Sequence, residues 1–289
     1  MNELSTAPPG WPLRILQFPL IRLVLLGGGV YVLLGVKNGF AVKLAGSPWL
    51  ALAALAGMAL LAMLVYAGFV RFVERRPVSE LSPRGLGREL GAGLLMGAGL
   101  YTLCVLVLML LGGYRIEGLN PWHFMLPAAA MALGSGVFEE LVFRGAVFRI
   151  AEEVFGSWAA LLLSALLFGA THLHNAQATW TGAVFISVEA GLLLAAAYMV
   201  TRRLWMSMGF HMAWNFTQSG IFSGIVSGND LPPGLVQATI QGPVLLTGGP
   251  FGLEASVIAF VVCTAAGVLL LRQAVRRGHV KPPFWQRPG

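Results

Sequence analysis

Residues 48–72 read PWLALAALAGMALLAMLVYAGFVRF, with Arg71 at the far end as the one charge. At a rise of about 1.5 Å per residue, a helix of this length crosses the roughly 30 Å hydrocarbon core of a bilayer. Comparable apolar runs fall near 15–36, 90–112, 122–144, 157–174, 180–200, 204–224 and 250–271. The 289-residue chain is 57% hydrophobic and 11% charged, too few polar groups to cover a water-facing surface. The expected fold is all-α and integral to the membrane: about eight transmembrane helices in one polytopic domain, 1–289, with no soluble domain left over.

The sequence carries a formal net charge of +7, but its bases sit at the ends of apolar runs rather than in a basic, aromatic-rich stretch. That pattern fits membrane topology and gives no reason to expect a nucleic-acid partner. Placing both termini in the cytoplasm puts fifteen of the 19 Lys and Arg inside: Arg14, Arg71, Arg75, Arg76, Arg84, Arg88, Arg144, Arg149, Arg202, Arg203, Arg272, Arg276, Arg277, Lys281 and Arg287. Lys37, Lys43 and Arg115 remain outside, and Arg22 falls within the first span near its inner end. The first apolar run is too long for a signal-peptide core and reads as a spanning helix. Cys104 and Cys263 lie in apolar runs and read as packing residues. Gly93 and Gly97 permit close helix approach, and 225–249, rich in Pro and Gly, reads as an outer loop or a re-entrant lip. No internal repeat of the transporter kind is visible.

An ionised group near the bilayer centre costs on the order of 3 kcal/mol, so acids and imidazoles inside apolar runs are functional candidates. Glu140 and Arg144 stand four apart, on one helix face and within ion-pairing reach. Glu139, about 100° round the helix, lacks that partner and is the first choice for a general base. His211 and Asn215 repeat the spacing, as a pair of oxyanion donors or with His211 as a metal ligand. His172, four after Phe168, either holds the water with Glu139 or completes a metal site formed by Glu139, His172 and His211. Glu189 is a further acid in an apolar run; His123, His174, Asn175 and His279 read as interfacial or solvated. Neither H-E-x-x-H nor G-x-S-x-G occurs, which disfavours the familiar zinc and serine classes.

The order E-E-x-x-x-R, F-x-x-x-H, H-x-x-x-N resembles the family of type II CAAX prenyl endopeptidases and bacteriocin-processing proteins, across about 135–220. Gly191, Tyr198 and Arg203 also resemble the run between its later motifs. The resemblance implies an intramembrane endopeptidase with its catalytic core in 135–220. Glu139 and His172 would activate a water, His211 and Asn215 would hold the oxyanion, and Glu140 with Arg144 would support the site. It leaves open a divalent metal such as zinc or a metal-free glutamate mechanism. It implies a peptide or lipidated-protein substrate, prenylated or of the leader type, without naming one, and a bacterial plasma membrane is the expected setting. Two other functions compete with this one. One is a proton-coupled transporter, and the other is a catalytically idle scaffold or bacteriocin-immunity protein. The sequence does not fix an oligomeric state.

Overall fold

The computed structural model describes residues 10–44 and 46–287. Its long helices are α1 (residues 19–43), α2 (Pro48–Phe72), α3 (Leu86–Leu110), α4 (residues 125–155), α5 (residues 157–171), α6 (Trp180–Thr201), α7 (residues 205–221) and α8 (Val257–Arg276). Among the described residues, six stretches are long and apolar enough to cross a membrane: Pro19–Lys37, Pro48–Phe72, Leu86–Leu110, Trp122–His174, Trp180–Thr201 and Val257–Arg276. They leave large side chains such as Leu64, Leu95 and Leu110 exposed, a surface that lipid covers and water would penalise. The protein is an integral membrane protein.

Six such stretches stand where the sequence leads one to expect eight spans, for two physical reasons. Trp122–His174 runs for 53 residues as one apolar stretch but is broken at Gly156 (φ 78°, ψ 170°), where α4 ends and α5 begins. A side chain is poorly tolerated at that φ, and a Cβ there would lie 2.7 Å from the Pro283 nitrogen of the C-terminal tail. The other reason is α7, which is shorter than the roughly 20 residues a spanning helix needs and is absent from the six.

Three further expectations change. Helix α4 runs past 144, so Arg144 and Arg149 are buried within the bundle instead of lying in a cytoplasmic segment. Lys37, expected at the outer surface, is buried with its side chain against Gly134 of α4. The 225–249 connection is partly extended: β2 (Val236–Ile240) pairs antiparallel with β1 (Tyr114–Leu119), from Tyr114 opposite Ile240 to Leu119 opposite Val236. Both segments alternate apolar and polar residues, from Tyr114 to Glu117 and from Val236 to Ile240, a short period-2 signal that a search for span-length apolar runs passes over.

Small residues set the helix spacing that the site depends on. A Cβ on Gly93 would strike the Met206 carbonyl of α7, and one on Gly97 would strike the Phe210 carbonyl, so α3 and α7 touch backbone to backbone. That contact fixes the helix carrying His211 and Asn215.

One end of the bundle is closed by a lattice of ion pairs. Glu74 accepts from Arg149 Nη2 (2.8 Å), Arg76 Nε (2.7 Å) and Arg22 Nη1 (3.3 Å), and Glu153 pairs with Arg22 and Arg149. Glu152 binds Arg202 and Lys281, and Glu89 binds Arg203. Burial alone would raise the Glu74 carboxyl, but Arg149, Arg76 and Arg22 outweigh it and hold it below its ordinary value of 4.5. On acidification the unfolded chain takes up this proton at the ordinary value and the folded chain only lower. The stabilisation is therefore complete above about pH 4.5 and is lost as pH falls toward the folded value. Thermal midpoints measured against pH should fall in that window, and Glu74→Gln should flatten the fall; an unchanged slope would remove Glu74 as its cause.

Candidate active site

Helix α4 brings the two motif acids into the bundle. Glu140 and Arg144 have no exposure at all, and Arg144 Nη1 donates to Glu140 Oε1 at 2.8 Å. The helix widens to π-type turns over Leu141–Phe148, a distortion frequent at functional sites. A second widened segment, Ser187–Leu192 in α6, presents the Ala190 and Gly191 carbonyls, which accept from Arg144 Nη2 at 3.1 Å each. The guanidinium also lies 4.8 Å from the Phe168 ring centroid, so α4, α5 and α6 meet at one buried cation.

The same Glu140 Oε1 accepts from His211 Nδ1 at 3.0 Å. This bond, across 71 residues of chain, orients the imidazole so that Nε2 faces Glu139, whose Oε2 is 3.8 Å away and accepts no hydrogen bond. The His211 and His172 rings both stand against Phe168, at centroid distances of 6.0 and 4.7 Å. His172 Nδ1 lies 2.7 Å from the Phe168 carbonyl. A carbonyl only accepts, so Nδ1 carries the proton and Nε2 is left as an acceptor in the neutral ring. Asn215 donates through Nδ2 to Ser135 Oγ at 2.8 Å, which spends one of its two amide protons.

Glu139, His172, His211 and Asn215 line one cavity of about 640 Å³, within the usual size of a ligand site. Glu140 and Arg144 stand behind its wall. The shared packing on Phe168 sets His172, at the end of α5, beside His211 of α7.

Three residues of the site escape a reading by motif. Ser135 sits four before Glu139, so the i, i+4 spacing that pairs the other residues also marks it. Lys37 lines the cavity from α1 and interacts electrostatically with Glu139; at the end of an apolar run it looks like an interfacial base. Glu254 lines the cavity too, accepting from Trp214 Nε1 (3.1 Å) and from Ser227 N and Oγ (2.7 and 2.8 Å), and no local spacing predicts those partners. Glu189 is a buried cavity residue with neither carboxyl oxygen hydrogen-bonded. Of the histidines set aside, His174 is exposed at the cavity edge and His279 bonds the Met199 carbonyl, while His123 packs beside Trp122.

A metal needs a converging donor set. Among the described residues, no three His, Cys, Asp or Glu side chains converge closely enough to hold an ion. In the suggested trio of Glu139, His172 and His211, each histidine bonds a protein oxygen through Nδ1, which leaves Nε2 as the atom that would ligate. The trio does not converge as placed, and no step below runs through a metal.

This arrangement offers an acid in reach of a cavity, an acceptor imidazole, and two groups able to donate to an oxyanion. Residues 121–217 match the family model Rce1-like: Type II CAAX prenyl endopeptidase Rce1-like. The match spans all seven motif residues and is to the family that their order resembles. The Rce1-like family is one of CAAX-type proteases, which supports a peptidase. No curated protein and no solved structure matches the chain.

Proposed function

We propose that this protein is an intramembrane endopeptidase that cuts membrane-associated peptides, prenylated or leader-type, with a water activated by Glu139 and His172. The observation that carries this reading is one cavity shared by Glu139, His172, His211 and Asn215, with a fully buried Glu140–Arg144 pair behind it. Glu139 takes a proton from the water while His172 Nε2 accepts its second hydrogen bond, and the oxygen attacks the peptide carbonyl carbon. The resulting oxyanion is held by Asn215 Nδ2 and by His211 Nε2 when that ring carries both protons. Glu139 then returns the proton to the amide nitrogen, the C–N bond breaks, and an acid and an amine leave.

The topology that goes with this activity has eight crossings, counting α4, α5 and α7 separately, with both termini in the cytoplasm of a bacterial plasma membrane. Cleavage of a panel of prenylated and leader-type peptides by detergent-purified protein tests the function. We expect product that disappears with Glu139→Ala and persists in a metal chelator. Loss of activity in chelator would restore a metal mechanism, and a folded protein that cuts nothing in the panel would favour a scaffold or immunity role. Uptake driven by a pH gradient in liposomes would favour a transporter.

A further inference from the structure

We infer that the catalytic cavity opens on the extracytoplasmic face of the membrane, so that the substrates are peptide segments displayed on that side. This rests on the peptidase reading above and narrows its substrate class.

The direction of opening follows from which residues line the cavity. Four lining residues are exposed: Tyr31 on the flank of α1 within its apolar span, and His174, Asn229 and Asp230 from the α5–α6 and α7–α8 connections, the three that lie beyond the long helices. These connections are fastened to each other at the rim: Gln177 Nε2 donates to Asp230 Oδ2 at 2.6 Å, and Asn175 Nδ2 to the Ser227 carbonyl at 2.6 Å. At the opposite end the cavity stops at the wall backed by Glu140 and Arg144, and beyond lies the ion-pair lattice of Glu74, Arg149, Arg22 and Glu153. Among the described residues, none from the α2–α3 connection, the α6–α7 connection or the C-terminal tail lines the cavity.

Charge then assigns the two ends. The closed end carries Arg71, Arg75, Arg76, Arg84 and Arg88 around the α2–α3 connection, Arg202 and Arg203 between α6 and α7, and Arg276, Arg277, Lys281 and Arg287 in or near the tail. The open end has Lys43 at the end of α1 and Arg115 in β1. Short connections that collect Lys and Arg stay in the cytoplasm, so the closed end is cytoplasmic and the mouth faces out. A lipidated C terminus made in the cytoplasm would meet the sealed end. A secreted or membrane-tethered peptide on the far side would meet His174, Asn229 and Asp230 and enter toward Glu139.

Cysteine labelling separates orientation from catalysis. In a Cys104→Ala, Cys263→Ala background, Asp230→Cys should react with a membrane-impermeant maleimide on intact cells. Arg84→Cys should react only after permeabilisation. The reverse pattern overturns the inference. A second arm uses a quenched fluorogenic peptide that the detergent-purified enzyme cleaves. Added outside intact cells, it should be cut by cells carrying the wild-type protein and not by cells carrying Glu139→Ala; cleavage seen only after permeabilisation overturns the substrate side. If Asp230→Cys labels from outside while the purified protein cuts no peptide, the peptidase reading fails and the substrate class with it, and the direction of opening stands.

Discussion

Glu139→Gln should lower peptide hydrolysis by about 10²–10⁴-fold, the usual worth of a positioned general base, and leave the thermal midpoint nearly unchanged. The substitution keeps the shape of the side chain and removes its capacity to take a proton. Structural cost is small because Glu139 Oε2 accepts no hydrogen bond, and its nearest charged partner in α7, His211 Nε2, is 3.8 Å away. Glu140 supplies the contrast. Its Oε1 accepts from both Arg144 and His211, so a change there is felt first in folding and only through His211 in chemistry. Steady-state kinetics on a fluorogenic peptide, with tryptophan fluorescence for unfolding, reads both quantities on one sample. An active Glu139→Gln enzyme would end the glutamate-base mechanism, and an unfolded one would give Glu139 a structural role as the counter-charge of buried Lys37.

What the sequence reveals is what helix geometry fixes locally. A spacing of four places two side chains on one face whatever packs against them. Glu140 with Arg144, Phe168 with His172 and His211 with Asn215 are therefore all legible before any coordinates, and apolar run length likewise announces a membrane protein. Contacts between helices are not encoded in spacing. The His211 bond to Glu140 and the Arg144 bonds to the Ala190 and Gly191 carbonyls depend on how α4, α6 and α7 pack. Hydropathy does separate the runs 122–144 and 157–174, on either side of the break at Gly156, but it does not show that α4 continues from 144 to 155. Lys37 shows the same limit from the other side: charge pattern places it at a surface, and packing against Gly134 draws it into the site.

Breaking the Glu140–Arg144 pair by Arg144→Met should cost about 3–5 kcal/mol of stability, because a fully buried carboxylate loses its cationic partner. Replacing both partners, as Glu140→Leu with Arg144→Met, should recover most of that loss, since two apolar side chains of similar volume carry no desolvation cost. Recovery of the fold should not bring recovery of activity. Without Glu140, His211 Nδ1 has no acceptor, and the Ala190 and Gly191 carbonyls lose the donor that ties α6 to α4. Glu140→Gln divides the two roles: its amide oxygen can still accept from His211 Nδ1, so it should retain more activity than the apolar double variant and less than the wild-type carboxylate. Denaturation midpoints in detergent together with kcat would resolve this order. A double variant with full stability and full activity would mean that the buried pair is packing alone and that His211 needs no partner behind it.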